Sequence, residues 1–174
     1  APEVLGKHAR HYQTGAPIPA ALMEKLLAAR NFGQGFSTAE YIGSALTDHE
    51  LHRLTETAED FDAVAFEAAL LARIGMPHAI RARHSAPHFL HVFSGDGYSA
   101  GYYSYMWSEV MDADAFAAFE ETGDVFDQGV AARLEANILS AGGREDAMEA
   151  WLGFRGRAPD PQALLKGRGL DAAV

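Results

Sequence analysis

A chain of 174 residues, 48% of them hydrophobic, is long enough to bury a sizeable core and is ordinary for a packed globular protein. Its 24 acidic against 14 basic residues give a formal charge of −10, which repels a phosphate backbone and argues against nucleic-acid binding. No apolar run approaches the roughly 18 residues that span a bilayer. The absence of cysteine excludes disulfides, thiolate nucleophiles and cysteine metal sites, and is compatible with a cytoplasmic location.

The pattern reads as mainly α, with little or no β structure, in one domain over residues 1–174. The start, Ala1-Pro2-Glu3-Val4, has neither an initiator Met nor a basic stretch followed by an apolar run; a processed N-terminus or a piece of a longer chain is expected, and no signal peptide. Residues 1–12 have helical composition and end before Thr14-Gly15-Ala16-Pro17, a turn signal. Pro19 can open a helix to about Phe32 with Leu22, Leu26 and Leu27 as its apolar stripe. Ser37-Thr38 is a plausible N-cap for a third helix bearing Tyr41, Ile42, Ala45 and Leu46, which residues 48–55 continue or follow. An alanine-rich helix over residues 60–74 stops at Gly75-Met76-Pro77. Periodicity is then lost to Gly97, with a weak strand signal at residues 88–93. Residues 98–121 read as the longest helix, residues 124–140 as another closed by Gly142-Gly143, residues 144–154 as the next, and a short turn follows Pro161. Arg144, Arg155, Arg157, Lys166 and Arg168 read as a solvated C-terminal face.

Two histidine groups invite a metal reading. In His49-Glu50-Leu51-His52 the histidines are three apart, so the glutamate cannot take the place it has in a zinc-protease helix, and an exposed polar face is the expectation. His84, His88 and His91 would line one side of a helix, but Pro87 breaks it. No metal site is expected within the chain.

The segment from His91 to Tyr105 carries the densest chemistry. Gly95 and Gly97 make a loop that can take positive φ and admit a close backbone approach. Tyr98, Tyr102 and Tyr105, spaced i, i+4, i+7, would then line one helix face, with Tyr103, Met106, Trp107 and Val110 free to anchor the helix. Three phenols on one face suit either a packed core or a wet cleft, and residue types alone leave the two balanced. In a cleft, a phenol donates to a developing oxyanion while staying neutral at pH 7, and His91 can donate or accept beside it.

Phe89-Leu90-His91-Val92-Phe93 and Gly97-Tyr98-Ser99-Ala100-Gly101-Tyr102-Tyr103-Ser104-Tyr105-Met106-Trp107 together resemble the thimet oligopeptidase-like family of zinc metallopeptidases, peptidase family M3. The resemblance continues through residues 112–119, Ile138-Leu139-Ser140-Ala141-Gly142-Gly143, Phe154-Arg155-Gly156-Arg157-Ala158-Pro159 and residues 164–170, and reaches upstream to Pro2-Glu3-Val4-Leu5 and Ala28-Ala29-Arg30-Asn31-Phe32. It implies a multi-helix C-terminal domain of a zincin-like oligopeptidase. Tyr105 matches the tyrosine that stabilises the oxyanion. Tyr98 and Tyr102 match substrate-contacting tyrosines. His91 matches the histidine that contacts substrate near the scissile bond, ahead of the loop holding Gly95 and Gly97, which looks one residue longer than the commonest family form.

The family's zinc centre, a His-Glu-x-x-His helix with a downstream glutamate, precedes the region matched by Pro2-Glu3-Val4-Leu5, and no such motif occurs here. The resemblance therefore implies the C-terminal part of a cytoplasmic peptidase that hydrolyses short peptides, with zinc held by the missing N-terminal part and none by this fragment, which is expected to be inactive alone. Self-association through an apolar face uncovered by the missing part is allowed for. Both dipeptide removal and internal cleavage occur with this motif, and the resemblance does not choose between them. The alternative is a non-catalytic helical peptide-binding or interaction domain using the same tyrosines; a third is a purely structural bundle.

Overall fold

Alanine-, leucine- and glutamate-rich segments without β-branched runs favour helix, and short acidic side chains fix where three of the helices begin. The computed structural model describes residues 1–171, in which nine α-helices follow one another: α1 (Pro2–His8), α2 (Ala20–Ala28), α3 (Gln34–His52), α4 (Ala63–Arg73), α5 (Leu90–Phe93), α6 (Ser104–Glu120), α7 (Gln128–Leu134), α8 (Ala147–Arg155) and α9 (Gln162–Gly167). β structure among the described residues is confined to an isolated antiparallel bridge between Arg10 and Pro17. The mainly α class expected from the sequence holds.

Asp62 accepts from the N–H groups of Val64 and Ala65 and starts α4; Asp127 accepts from Val130 and starts α7; Asp146 accepts from Met148 and Glu149 and starts α8. Gly156, at φ 73°, closes α8 in the left-handed conformation that suits glycine. Several boundaries differ from the sequence reading. α1 stops at His8, short of Tyr12. α3 begins at Gln34, three residues before Ser37, because Gly33 at φ 70° turns the chain into the helix earlier. The weak strand signal at residues 88–93 is a 3-10 turn, Ala86–His88, followed by α5. The longest helix is α3, of 19 residues, and not the one after the glycine loop: α6 starts only at Ser104 and has 17. α7 runs directly into a π-helical segment, Glu135–Leu139, where the Ser140 hydroxyl donates to the Glu135 carbonyl.

The chain divides into two compact units, Gly33–Ser108 and a second formed by Ala1–Phe32 with Glu109–Val174. In the 33–108 unit, Phe89, Val92 and Tyr102 form the buried cluster, with Tyr41 and Ala45 of α3 packed on it. Gly43 lets α3 approach α4 and the segment that follows it, since a Cβ there would lie 3.4 Å from Leu71 Cδ2 of α4 and 2.6 Å from the Met76 methyl. The buried Glu67 carboxylate accepts the Ala86 N–H at 2.6 Å, which ties α4 to the segment leading into the site.

In the other unit, Ala118, Val130, Trp151 and Phe154 form the core, with Met111, Ala115, Phe119, Leu134 and Ile138 packed against it. Gly153 of α8 lies so close to the π-helical segment that a Cβ there would sit 2.5 Å from Asn137 Oδ1. The basic C-terminal residues are not simply a solvated face. Arg155, its side chain only 6% exposed, and Arg157 converge on the fully buried Asp114 of α6, Arg155 donating through Nε at 3.0 Å and Arg157 through Nη2 at 2.6 Å. A buried carboxylate needs such partners, and two guanidinium forks supply them.

Candidate active site in the tyrosine segment

The site grows out of the backbone between Gly95 and Ser104. Helical periodicity predicts that Tyr98, Tyr102 and Tyr105 share one helix face; the structure does not keep that helix. Tyr98 ends a 3-10 turn, Asp96–Tyr98, Tyr102 lies in a turn, and only Tyr105 belongs to α6. The break occurs at Ala100, which adopts a left-handed φ of 54°. The glycines do not supply that conformation: Gly95 is extended at φ 167°, and Gly97 is not among the left-handed residues. A Cβ at either would meet nothing within 4 Å inside this chain. The expected positive φ is therefore present in this segment, but at an alanine, where it costs energy that something else must offset.

Three side chains of α3 supply the offset, and sequence reasoning missed all three in this role. The Asp48 carboxylate, fully buried, accepts the N–H of Ala100 at 3.0 Å through Oδ1 and that of Tyr102 at 2.9 Å through Oδ2. His52, one turn on, places Nδ1 2.7 Å from Asp48 Oδ1. The Tyr41 hydroxyl donates to the Tyr102 carbonyl and accepts the Met106 N–H at 3.1 Å. Tyr102 C=O and Met106 N–H are i, i+4 partners, so a phenol oxygen stands where the helical hydrogen bond would have been. That is why α6 does not extend back to Tyr98.

The four aromatic site residues nonetheless come together. The Tyr105 hydroxyl shares a 3.0 Å hydrogen bond with His91 Nε2. The His91 ring lies 4.9 Å from that of Tyr98 and 5.7 Å, edge-on, from that of Tyr102, centroid to centroid. Tyr102 meets Tyr105 at 5.5 Å, edge-on, and stacks on Tyr41 at 5.3 Å. Exposure separates their roles. Tyr98 and Tyr105 are 58% and 43% exposed, whereas Tyr102 is 8% exposed and belongs to the core. Tyr103 and Trp107, expected to anchor the helix, are exposed as well, while Val110 is buried.

Among the described residues, no three His, Asp or Glu side chains come together where they could hold a metal ion. His49 is exposed, and His52 is turned to Asp48 and stacked on Phe93 at 4.8 Å. Pro87 sits in the 3-10 turn, and His84 packs on Phe89 while His91 packs on the tyrosines. No described helix is long and apolar enough to cross a membrane.

The family model for peptidase family M3 matches residues 1–170, which takes in this whole segment and the helices around it. The chain belongs to peptidase family M3. Relatives in family M3 include oligopeptidase A of Escherichia coli, 38% identical over 172 residues and 97% of this chain, and the dipeptidyl carboxypeptidase of the same organism, 35% identical over 98% of it. A probable cytosolic oligopeptidase A of Arabidopsis thaliana is 39% identical over 95% of the chain. The chain spans about a quarter of the length of these family M3 relatives, 25%, 25% and 24% respectively.

Proposed function

We propose that this chain is the C-terminal, substrate-side part of a zinc-dependent oligopeptidase or peptidyl-dipeptidase whose metal ligands lie outside residues 1–174. In this reading the segment from His91 to Tyr105 binds short peptides and stabilises the tetrahedral intermediate of their hydrolysis. A cytoplasmic location belongs to the same proposal, supported by the cysteine-free composition and by the description of one relative as cytosolic.

The observation that carries the reading is the pairing of Tyr105 with His91: a half-exposed phenol on the first turn of α6, hydrogen bonded to an exposed imidazole, beside a second exposed phenol at Tyr98. Oxyanion stabilisation needs a neutral donor held in place before charge develops. The His91–Tyr105 bond provides it in one tautomer. When Nε2–H donates to the phenol oxygen, the phenolic proton is free to point at substrate, and the accepted bond polarises it. When Nε2 is bare, the phenolic proton is spent on the imidazole. His91 therefore sets whether Tyr105 can donate. Tyr98 contacts the peptide directly in this reading; Gly95 and Gly97, with no Cβ, leave room for its backbone in front of the loop. Tyr102 supports Tyr105 and His91 and meets substrate only at its exposed edge.

The test is Tyr105→Phe in the longer protein. Loss of one oxyanion donor lowers kcat by roughly 100- to 1000-fold, about 2.7–4 kcal/mol, with little change in KM. An unchanged kcat removes Tyr105 from the chemistry. Peptide binding by the wild-type longer protein without any turnover points instead to a non-catalytic peptide-binding domain.

A further inference from the structure

One face of α3 grips the backbone of the tyrosine segment at successive points. Tyr41, Ala45, Asp48 and His52 recur at i, i+4, i+7 and i+11 and so share a side of the helix. Asp48 is the anomaly among them. A carboxylate with no exposed surface in a helix interior caps nothing in its own helix, and burial is costly unless donors meet its charge. Its donors here are the N–H groups of Ala100 and Tyr102; the His52 ring, hydrogen bonded through Nδ1 to the Asp48 carbonyl at 2.9 Å, lies against it with Nδ1 2.7 Å from Oδ1. His52 Nδ1 also lies 3.3 Å from Ala100 N, but a nitrogen that donates to the Asp48 carbonyl oxygen at 2.9 Å cannot accept that N–H, which therefore belongs to the carboxylate.

We infer that Asp48, oriented by His52 and seconded by Tyr41, is a positioning residue for Tyr105 and His91. Tyr102 is held at both ends of its residue, its N–H by Asp48 and its carbonyl by the Tyr41 hydroxyl. Three residues later stands Tyr105, so an error in the Tyr102 backbone is carried to the Tyr105 hydroxyl. The other half of the site is reached through His52: its ring stacks on Phe93 of α5 at 4.8 Å and 16°, two residues from His91. One helix face thus holds both partners of the His91–Tyr105 hydrogen bond in register, and the left-handed Ala100 is the geometry that the Asp48 clamp enforces.

This inference rests on the reading of Tyr105 as the oxyanion donor, and its test separates the two. In the longer protein, Asp48→Asn keeps the shape but offers one acceptor oxygen where two N–H groups need one each. The expected result is a fall in kcat of up to about 100-fold with KM within about threefold, the size of loss that a 1 Å misplacement brings. Tyr105→Phe added to Asp48→Asn is expected to cost far less than it does alone, because the donor has already lost its place. A purely structural role predicts additive losses instead, or a loss that tracks the unfolded fraction, and either overturns the inference. If Asp48→Asn does not fold, Tyr41→Phe keeps the ring stack and loses the hydroxyl bridge, and the same non-additivity is expected of it. A readout independent of activity is amide exchange at Ala100 and Tyr102, slow in the wild type and fast in Asp48→Asn. If Tyr105→Phe leaves kcat unchanged while that exchange responds as expected, the oxyanion reading fails and the clamp stands. If exchange does not respond, the clamp fails whatever Tyr105 does.

Discussion

Replacing Asp114 with Asn tests how the unit formed by residues 1–32 and 109–174 is held together. Asp114 is fully buried on α6 and receives Arg155 Nε at 3.0 Å, Arg157 Nη1 at 2.8 Å and Nη2 at 2.6 Å, and the Asp160 N–H at 2.8 Å. Burial pushes its carboxyl up, but hydrogen bonds from Arg157, the Asp160 N–H and Arg155 outweigh it and hold the group below the ordinary aspartate value of 3.8. Removing one partner of a buried ion pair costs about 3–5 kcal/mol. Two features place Asp114→Asn at the lower end. Arg157 is partly exposed, so water can solvate it, and Arg155 keeps Glu121 at 2.6 Å. A loss of about 3 kcal/mol corresponds to a fall in Tm of roughly 6–12 °C for a chain of this size. Urea unfolding at neutral pH measures it directly. The pH dependence has a definite sign. The folded-state carboxyl ionises more easily than the unfolded one, so its contribution is complete above the unfolded value and lost as pH falls through the folded value. The gap between wild type and Asp114→Asn is therefore expected to close below about pH 4. A loss under about 1 kcal/mol at neutral pH, or a gap that persists undiminished in acid, refutes the reasoning. Glu121→Gln is the matched control: Glu121 is 58% exposed, and its removal is expected to cost under about 1 kcal/mol.

Ala100 offers a backbone test, because its φ of 54° is one that L side chains pay to adopt. Ala100→Gly is expected to stabilise the protein by up to about 1 kcal/mol, and Ala100→Val to destabilise it by about 2 kcal/mol, both read by thermal unfolding; a destabilising Gly contradicts the left-handed assignment. Gly153→Ala would push a methyl to 2.5 Å from Asn137 Oδ1 and is expected to cost about 1–3 kcal/mol. Asn137→Ala should recover most of that cost, because the remaining Cβ would stand 3.9 Å away; additive losses in the double-mutant cycle would show that the contact is not the cause.

Helix content was legible because it depends on local composition, and the caps at Asp62, Asp127 and Asp146 have short-range signatures. The candidate site residues were nominated by resemblance to family M3 rather than by periodicity. Their geometry was not legible. Spacing of i, i+4, i+7 predicts one helix face, and it fails because the decisive partners lie 52 to 65 residues upstream: Asp48 captures the N–H groups of Ala100 and Tyr102, and Tyr41 takes the Tyr102–Met106 hydrogen bond. Nothing local to Tyr98 announces that competition. A signal is present in α3 itself, where Asp48 and His52 stand one turn apart on the side that also carries Tyr41 and Ala45. Arg155 misled in the same way: a basic C-terminal run suggests solvent, and only the fold reveals the buried carboxylate that it faces.

The two tryptophans fall one to each compact unit, the exposed Trp107 within residues 33–108 and the buried Trp151 in the core of the other. The chain therefore carries its own pair of optical reporters. A quencher dissolved in water reaches the first indole and not the second, so emission resolved by quenching follows each unit separately during denaturation. Coincident transitions would mark one cooperative body and staggered ones two independent folding units.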